Sequence, residues 1–179
     1  MNTQETFRKE KLPSLQKTLG IKNINAVPKL DKVIVAIGIG SLATRKSIKD
    51  FDEFEKNILK MTGQKARMIK SKKSISNFKL REGLPVMLQV TLRKVRAYDF
   101  VDRFVKLVLP RMRDFSGLSD KSFDHQGNYS IGIQNYNIFP ELSLDDVITT
   151  MGLQITIVST SKDPMKTKAL MQSLGFLFK

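Results

Sequence analysis

The sequence predicts an α+β fold of two layers, in which a mainly antiparallel sheet carries helices on one face. Three segments alternate between apolar and polar residues, at positions 86–93, 129–134 and 153–157. Their polar faces carry Gln, Thr, Ser and Gly, whereas a parallel sheet buried on both faces gives continuous apolar runs. Segments with helical spacing lie between the strands, so helices are available to cover the apolar face.

The first third of the chain predicts a helix, a buried strand and a second helix. Phe7 to Leu19 have helical spacing up to Gly20, with Pro13 as a candidate interruption. Residues 33–37 predict a buried strand that leads into two glycines. Thr44 is predicted to cap the second helix, and Gly63 to end it in the left-handed conformation. The apolar face of that helix consists of Ile48, Phe51, Phe54, Ile58 and Met61.

The remaining elements follow from the same signals. Residues 67–70 predict a short strand, followed by a polar connection up to the alternating strand at 86–93. Residues 98–112 fit a helix that Pro110 ends or kinks. The pair Asp145–Asp146 marks a further helix start. Asp163 and Pro164 predict the N-cap and first turn of a helix that closes before Gly175.

Composition predicts one domain, residues 1–179, with residues 72–85 as a protruding basic loop. The absence of Cys excludes disulfides, thiolate zinc sites and cysteine nucleophiles, and a single His excludes a multi-histidine metal site. Residues 1–20 lack the apolar block of a secretory signal. The longest apolar run, residues 33–37, is too short to cross a bilayer. We therefore expect no metal, no cofactor and no membrane partner.

The positive charge is concentrated in one part of the chain. The formal net charge is +14, and residues 60–96 hold eleven Lys or Arg against one acid, Glu82. The densest part of this segment holds Lys65, Arg67, Lys70, Lys72, Lys73, Lys79 and Arg81, with Phe78 as the one aromatic residue. Cations neutralise phosphates and an aromatic ring can stack on a base, so the pattern favours a nucleic-acid partner.

Other interpretations of these patterns stay open at this point. A charge run is often a solvated loop, and a membrane surface would also attract it, although no apolar face accompanies these cations. Gly38-Ile39-Gly40 follows a strand as in a dinucleotide-binding turn, but no acid ends the next strand. We predict that His125 lies in a loop. The acidic residues Asp50, Asp52, Glu53 and Glu55 are expected on a solvated helix surface, with a metal site as the alternative.

Several motifs resemble those of a known family. Residues 109–124 read LPRMRDFSGLSDKSFD and are followed by Gly127-Asn128-Tyr129. Shorter motifs match in the same order; they are Val27-Pro28, Gly63-Gln64-Lys65, Lys73-Ser74, Phe78-Lys79-Leu80-Arg81, Gly83, Pro85, Val90-Thr91-Leu92-Arg93 and Ile138-Phe139-Pro140-Glu141. The chain thereby resembles the bacterial form of large-subunit ribosomal protein five, from about residue 27 to residue 178.

The resemblance implies a non-catalytic α+β protein, bound to the ribosome in the cytoplasm, that carries 5S ribosomal RNA in the central protuberance. The implied 5S RNA contacts are Gln64, Lys65, Lys70, Phe78, Thr91 and Arg93. Residues 72–85 are implied to reach peptidyl-site tRNA through Lys72, Lys73, Ser74, Asn77, Lys79 and Arg81. An intersubunit bridge to a small-subunit head protein is implied for Arg111, Arg113, Gln134 and Asn135, within roughly residues 133–147. Large-subunit RNA and neighbouring large-subunit proteins complete the implied partners.

The chain departs from the family pattern at several positions. Ala36 stands where the family usually has an Asn that helps to bind 5S RNA. The other departures are Arg67 for an aliphatic residue, Ser116 for an Arg, His125-Gln126 for Gly-Arg, and Gln134-Asn135-Tyr136 for a basic residue followed by Glu-Gln. A diverged lineage explains them without a change of function.

Overall fold

The computed structural model describes residues 3–45, 50–113, 115–142 and 151–179. The described strands are β1 (Leu30–Gly38), β2 (Arg67–Lys70), β3 (Pro85–Arg93), β4 (Tyr129–Ile133) and β5 (Leu153–Ser159). They form one antiparallel sheet in the order β2-β3-β1-β5-β4. The predicted α+β class and the positions of the predicted strands are therefore confirmed.

The alternating sequence of β3 gives this strand one buried and one partly open face. Leu88, Val90 and Leu92 are at most 1% exposed, whereas Gln89 and Thr91 are half-buried on the opposite face. β2 pairs with β3 so that Arg67 lies opposite Gln89 and Met68 opposite Leu88, and the register shifts after Ile69. Since side chains alternate between faces along a strand, the pairing continues both faces onto β2.

The chain divides into two compact units. Unit 1 comprises Met1–Val33, Leu92–Ile131 and Thr156–Lys179, and unit 2 comprises Ile34–Thr91 and Gly132–Ile155. The prediction of a single domain over residues 1–179 stays a prediction. No helix within the described ranges is both long enough and apolar enough to span a bilayer.

Three helical segments belong to unit 1. The first consists of α1 (Thr3–Thr6), a π-helical turn (Phe7–Lys11) and α2 (Leu12–Leu19). Pro13 lies in the first turn of α2, where its missing N–H is tolerated, and the helix ends at Gly20 with a left-handed φ of 63°, as predicted.

The second helical segment of unit 1 also ends as the sequence predicts. It consists of α5 (Val95–Arg103), a π-helical turn (Phe104–Val108) and a 3-10 turn (Leu109–Arg111) that contains Pro110. The third is α6 (Pro164–Leu174), whose N-terminus is capped because the Asp163 carboxylate accepts the Met165 N–H at 3.0 Å.

The helices of unit 2 correct one prediction. A single helix capped by Thr44 is wrong, because α3 (Gly40–Arg45) and α4 (Asp52–Thr62) are separate elements. Thr44 lies inside α3, where its hydroxyl donates to the Gly40 carbonyl at 2.8 Å. The Asp50 carboxylate instead accepts the Asp52 N–H at 2.9 Å, at the start of α4. Ile48 and the Asp145–Asp146 pair lie outside the described residues. Gly63 ends α4 with φ 68°, as predicted.

Each unit has its own buried apolar cluster. In unit 1, the rings of Phe7 and Tyr98 pack 5.1 Å apart and those of Phe104 and Phe176 pack 6.2 Å apart. In unit 2, Phe54 and Ile58 of α4 are at most 3% exposed. Burying apolar side chains contributes about 1.5–3 kcal/mol each, so both units are held mainly by these clusters.

Candidate nucleic-acid interface

The partly open sheet face of unit 2 carries small and uncharged polar residues. Gln89 and Thr91 lie on this face of β3, and a shallow depression of about 450 Å³ is lined by Ala36, Gly38, Met87, Gly132, Gln134 and Gln154, among others. A Cβ added at Gly132 would meet nothing within 4 Å, so the backbone of β4 is bare at this point. Such a surface allows an RNA backbone to approach closely and offers it hydrogen-bonding groups.

The turn between α4 and β2 holds Gln64 and Lys65. The Thr62 hydroxyl contacts the Gln64 carbonyl at 3.1 Å and accepts the Gln64 N–H at 3.3 Å, so the backbone of the turn is fixed. The Lys65 side chain is 83% exposed, and its Nζ lies 3.9 Å from the Glu55 carboxylate. An ion pair this long and this exposed contributes little to stability, so Lys65 remains available to a phosphate.

The predicted basic loop is the connection of a β-hairpin, because β2 and β3 are adjacent antiparallel strands. We call residues 71–84 the hairpin connection. The Ser71 N–H donates to the Leu84 carbonyl at 2.8 Å, and Ile75 and Leu80 exchange backbone hydrogen bonds of 2.9 and 3.1 Å. The Ser74 hydroxyl accepts the Glu82 N–H at 3.0 Å. Internal hydrogen bonds therefore order this connection without a partner molecule.

An aromatic side chain stands open at the tip of the hairpin connection. Phe78 ends a 3-10 turn (Ser76–Phe78) and is 71% exposed. The next residue, Lys79, has the left-handed φ of 52°, which turns the chain back toward β3. The exposed ring of Phe78 does not gain the favourable free energy of apolar burial. A nucleic-acid base stacked on the ring would bury it.

The seven cations of the dense basic segment are all exposed. Within the part of the chain that the structure describes, Lys65 is the member of this set that forms an ion pair. Lysines of unit 1 behave differently, since Lys106 pairs with Asp102 at 2.8 Å and Lys168 with Asp120 at 2.6 Å. The positive charge of the basic segment is therefore left largely uncompensated by the fold.

The predicted RNA-contact residues fall mostly in one unit. Gln64, Lys65, Lys70, Phe78 and Thr91 belong to unit 2, and Arg93 belongs to unit 1. The six residues predicted to touch tRNA all lie in the hairpin connection. The bridge set is divided, with Gln134 and Asn135 in unit 2 and Arg111 and Arg113 in unit 1; all four are exposed. Residues 143–147 of the predicted bridge region lie outside the described residues.

Sequence reasoning missed the internal pairing of the hairpin connection. It treated residues 71–85 as one polar stretch, although Ile75 and Leu80 form an isolated bridge inside it. The available signal was Ser76-Asn77 between two aliphatic residues, because Ser and Asn favour turns. The prediction of a loop in contact with RNA does not depend on this pairing, which closes the loop with two backbone hydrogen bonds.

The alternative sites gain no support from the geometry. Gly38-Ile39-Gly40 joins β1 to α3, but β3 lies between β1 and the next strand, β2, so the glycines do not open a unit of two adjacent parallel strands as in a dinucleotide site. Among the described residues, no three acidic or His side chains gather as metal ligands do. His125 lies in an exposed turn, as predicted.

The buried tyrosines are also unsuited to acid–base catalysis. Burial raises the pKa of Tyr98, Tyr129 and Tyr136 above their ordinary value, and the Asn57 side chain that bonds Tyr136 opposes the shift only in part. A catalytic acid or base needs a pKa close to neutral pH, and these shifts lead away from it.

Comparison with known proteins gives the same family along both parts of the chain. The family description "Ribosomal protein L5" matches residues 23–81, and the description of the C-terminal part of that ribosomal protein family matches residues 85–178. A large ribosomal subunit protein uL5 from Fusobacterium nucleatum is 48% identical over 168 residues, which are 94% of this chain and 91% of that protein. The uL5 protein of Prochlorococcus marinus is 43% identical and covers 99% of this chain and 98% of its own length. That of Caldanaerobacter subterraneus is 42% identical, with 98% and 97% covered.

Proposed function

The chain belongs to the ribosomal protein L5 family, and from this membership we propose that it binds 5S ribosomal RNA and holds it on the large subunit. The membership itself makes the chain a structural, non-catalytic constituent of the large ribosomal subunit that supports translation. Its location on the ribosome in the cytoplasm follows from the same membership. The identity of the RNA and the residues that contact it belong to the proposal.

The observation that carries the proposal is the set of exposed cations together with a partly open sheet face of mostly uncharged polar residues. Lys65, Lys70 and Arg93 supply charge that neutralises phosphates. Gln64 and Thr91 supply hydrogen bonds, and Phe78 supplies a ring on which an unpaired base can stack. Ala36, which replaces the usual Asn of the family, offers no polar side-chain contact, so Gln154, which lines the same depression, would supply it.

A salt titration tests the electrostatic part of this proposal. If about six phosphates are neutralised, the affinity for 5S RNA falls roughly a thousandfold between 50 and 200 mM salt. Filter binding with labelled 5S RNA measures this directly. A flat response to salt would refute phosphate neutralisation as the main source of affinity.

Apart from Phe78, the polar side chains of the hairpin connection are proposed to serve a different RNA. Lys72, Lys73, Ser74, Asn77, Lys79 and Arg81 would contact peptidyl-site tRNA, while the sheet face holds 5S RNA. Thr91→Val removes a hydroxyl and keeps the shape, so it should weaken 5S binding, whereas Lys79→Ala should weaken tRNA binding to 70S ribosomes that carry the variant. Equal losses of 5S affinity in both variants would refute this division.

The bridge residues form the third part of the proposal. Arg111, Arg113, Gln134 and Asn135 would contact a protein of the small-subunit head, and neighbouring large-subunit proteins would surround the rest of the surface. Light scattering of subunit association with the double variant Gln134→Ala/Asn135→Ala tests this part. We expect weaker association and unchanged 5S affinity; unchanged association would remove these residues from the bridge.

A further inference from the structure

Arg67, the first residue of β2, places a cation on the partly open sheet face of unit 2. It lies opposite Gln89 in the antiparallel pairing of β2 with β3, and directly opposite residues project from the same face of a sheet. Gln89 and Thr91 are the half-buried polar residues of that face. Diagonal neighbours on paired strands lie about 7–8 Å apart, so Thr91 is also within reach of the long arginine side chain.

The Arg67 guanidinium is not engaged by the fold. The residue is exposed, and its side chain forms no ion pair or hydrogen bond with another residue of the ranges that the structure describes. Lys65, two residues earlier, differs in this respect because its Nζ lies 3.9 Å from the Glu55 carboxylate. Arg67 therefore keeps its full charge and the five N–H donors of its planar fork for a partner.

Residues that are proposed to hold 5S RNA flank this position on two sides. The turn that contains Gln64 and Lys65 leads directly into β2, and the Thr62 hydroxyl fixes its backbone through contacts of 3.1 and 3.3 Å. Thr91 lies on the neighbouring strand. An RNA backbone that contacts Lys65 and Thr91 together therefore passes within reach of the Arg67 side chain. Position 67 is not among the contacts that the family resemblance implies.

We propose that Arg67 binds a backbone phosphate of 5S RNA through two parallel hydrogen bonds. The fork of a guanidinium matches two phosphate oxygens, whereas the ammonium group of a lysine binds a phosphate as a point charge. The inference rests on the proposed function, since it assigns a further residue to the same RNA site. It also gives a role to an arginine that stands where the family usually has an aliphatic residue.

An exposed arginine at this place has a second role that must be separated from RNA binding. Within the described residues, β2 is the terminal strand of the sheet, and charged side chains on such strands prevent pairing with another chain. Protection of the edge needs only a charge, so a lysine would provide it equally well. The phosphate contact needs the fork, so the two roles predict different 5S affinities for Arg67→Lys.

Two substitutions and one control distinguish these roles. Arg67→Gln removes the charge and should weaken 5S binding about tenfold, with a salt slope that is lower by about one. Arg67→Lys keeps the charge and loses the fork, so it should weaken binding several-fold with an unchanged salt slope. Lys56→Ala removes a cation from an exposed position of α4 in the same unit, and it should retain the affinity of the unchanged chain.

The affinities are measured by filter binding of the full-length chain to labelled 5S RNA between 50 and 200 mM salt, with excess bulk tRNA as competitor. Sedimentation velocity of the RNA-free chain measures self-association. Because position 67 is exposed, the melting temperature of both variants should stay within about 2 °C of the unchanged chain, so a loss of affinity does not reflect unfolding.

Three outcomes would contradict the inference. If Arg67→Gln self-associates but binds 5S RNA as tightly as the unchanged chain, Arg67 protects the sheet edge and contacts no RNA. Full affinity in Arg67→Lys would exclude the bidentate contact. Weaker binding of Arg67→Gln with an unchanged salt slope would exclude a phosphate as the bound group. Failure of the proposed function is recognised separately, because the unchanged chain itself would then show no affinity for 5S RNA.

Discussion

The hairpin connection of unit 2 and a polar-aromatic corner of unit 1 use similar residues in opposite ways. In the corner, which we define as Asp120, Phe123, Tyr129, Lys168 and Phe178, the side chains engage one another. Lys168 bonds Asp120 at 2.6 Å and lies 5.6 Å from the centre of the Phe178 ring, and the Phe123 and Tyr129 rings are 4.5 Å apart. In the hairpin connection, the backbone is hydrogen-bonded but the cations and Phe78 project into solvent.

This difference separates residues that stabilise the fold from residues that are available to a partner. A lysine beside its own carboxylate and an aromatic ring has its charge compensated, so RNA gains little by approaching it. Within the ranges that the structure describes, the cations of the hairpin connection form no such pair, so they repel one another slightly, and binding of a polyanion reduces this repulsion. The same residue types therefore predict stability effects in the corner and affinity effects in the hairpin connection.

The largest expected effect is on stability in the corner. Tyr129 is 1% exposed, and its hydroxyl donates to the Ser119 carbonyl at 2.7 Å. Tyr129→Ala should lower the free energy of unfolding by about 3–5 kcal/mol, measured by urea denaturation. Phe78→Ala is the control and should change it by less than about 0.5 kcal/mol. A comparable loss of stability in both variants would contradict the proposed difference between the corner and the hairpin connection.

The next effect is on affinity in the hairpin connection. Phe78→Ala should cost about 1–3 kcal/mol of binding to 5S RNA, if one base stacks on the ring. Ile75→Ala is a matched change at a neighbouring side chain that is 43% exposed but not aromatic, and it should cost less. Filter binding measures both. Equal losses would mean that apolar area, not stacking, holds the base.

A smaller effect concerns the turn next to the corner and depends on pH. The Asp124 carboxylate accepts the N–H groups of Gln126 and Asn128 at 2.9 and 2.7 Å and the Asn128 amide at 2.7 Å. Desolvation acts to raise the pKa of Asp124, but these hydrogen bonds outweigh it and lower the pKa below its ordinary value. Because the pKa of Asp124 is lower in the folded chain than in the unfolded chain, its ionised carboxylate stabilises the fold at pH values above the unfolded pKa, which is near 4. This contribution is lost as the pH falls through the folded pKa.

The variant Asp124→Ala tests this contribution. It should cost about 1 kcal/mol at pH 7, since the carboxylate is exposed and screened, and the difference from the unchanged chain should shrink below pH 4. Urea denaturation at pH 7 and pH 3 measures it. A constant difference across this range would show that the charge of Asp124 is irrelevant.

The smallest effect compares single lysines in the two regions. Lys168→Ala removes an ion pair that is partly exposed, so it should cost at most about 1 kcal/mol of stability and leave 5S affinity unchanged. Lys72→Ala removes a charge that pairs with no carboxylate of the described residues, so it should leave stability unchanged. Thermal unfolding at low and high salt distinguishes them, because only the Lys168 contribution should decline with salt. A salt-dependent loss of stability in Lys72→Ala would show a hidden ion pair.

Local patterns were sufficient for some elements and misleading for others. The alternation at residues 86–93 predicted β3 and both of its faces, and Asp163, Pro164 and Gly175 predicted both ends of α6. The apolar spacing from Ile48 to Met61 predicted one helix from Thr44, which is wrong. The spacing of apolar residues shows that a segment can be helical, but it does not show where one helix ends and the next begins. Here the Asp50 carboxylate accepts a backbone N–H at the start of α4, so α4 is a separate helix from α3.

The sequence by itself determined the fold class, the excess of charge in residues 60–96 and the family resemblance, because composition, period-two alternation and short motifs depend on neighbours along the chain. The tertiary structure alone decided the strand order, the closure of the hairpin connection between Ile75 and Leu80, and the pairing of Lys168 with Asp120. These features depend on contacts between segments that are distant in the sequence. The free energy of such contacts cannot be estimated from a local sequence pattern.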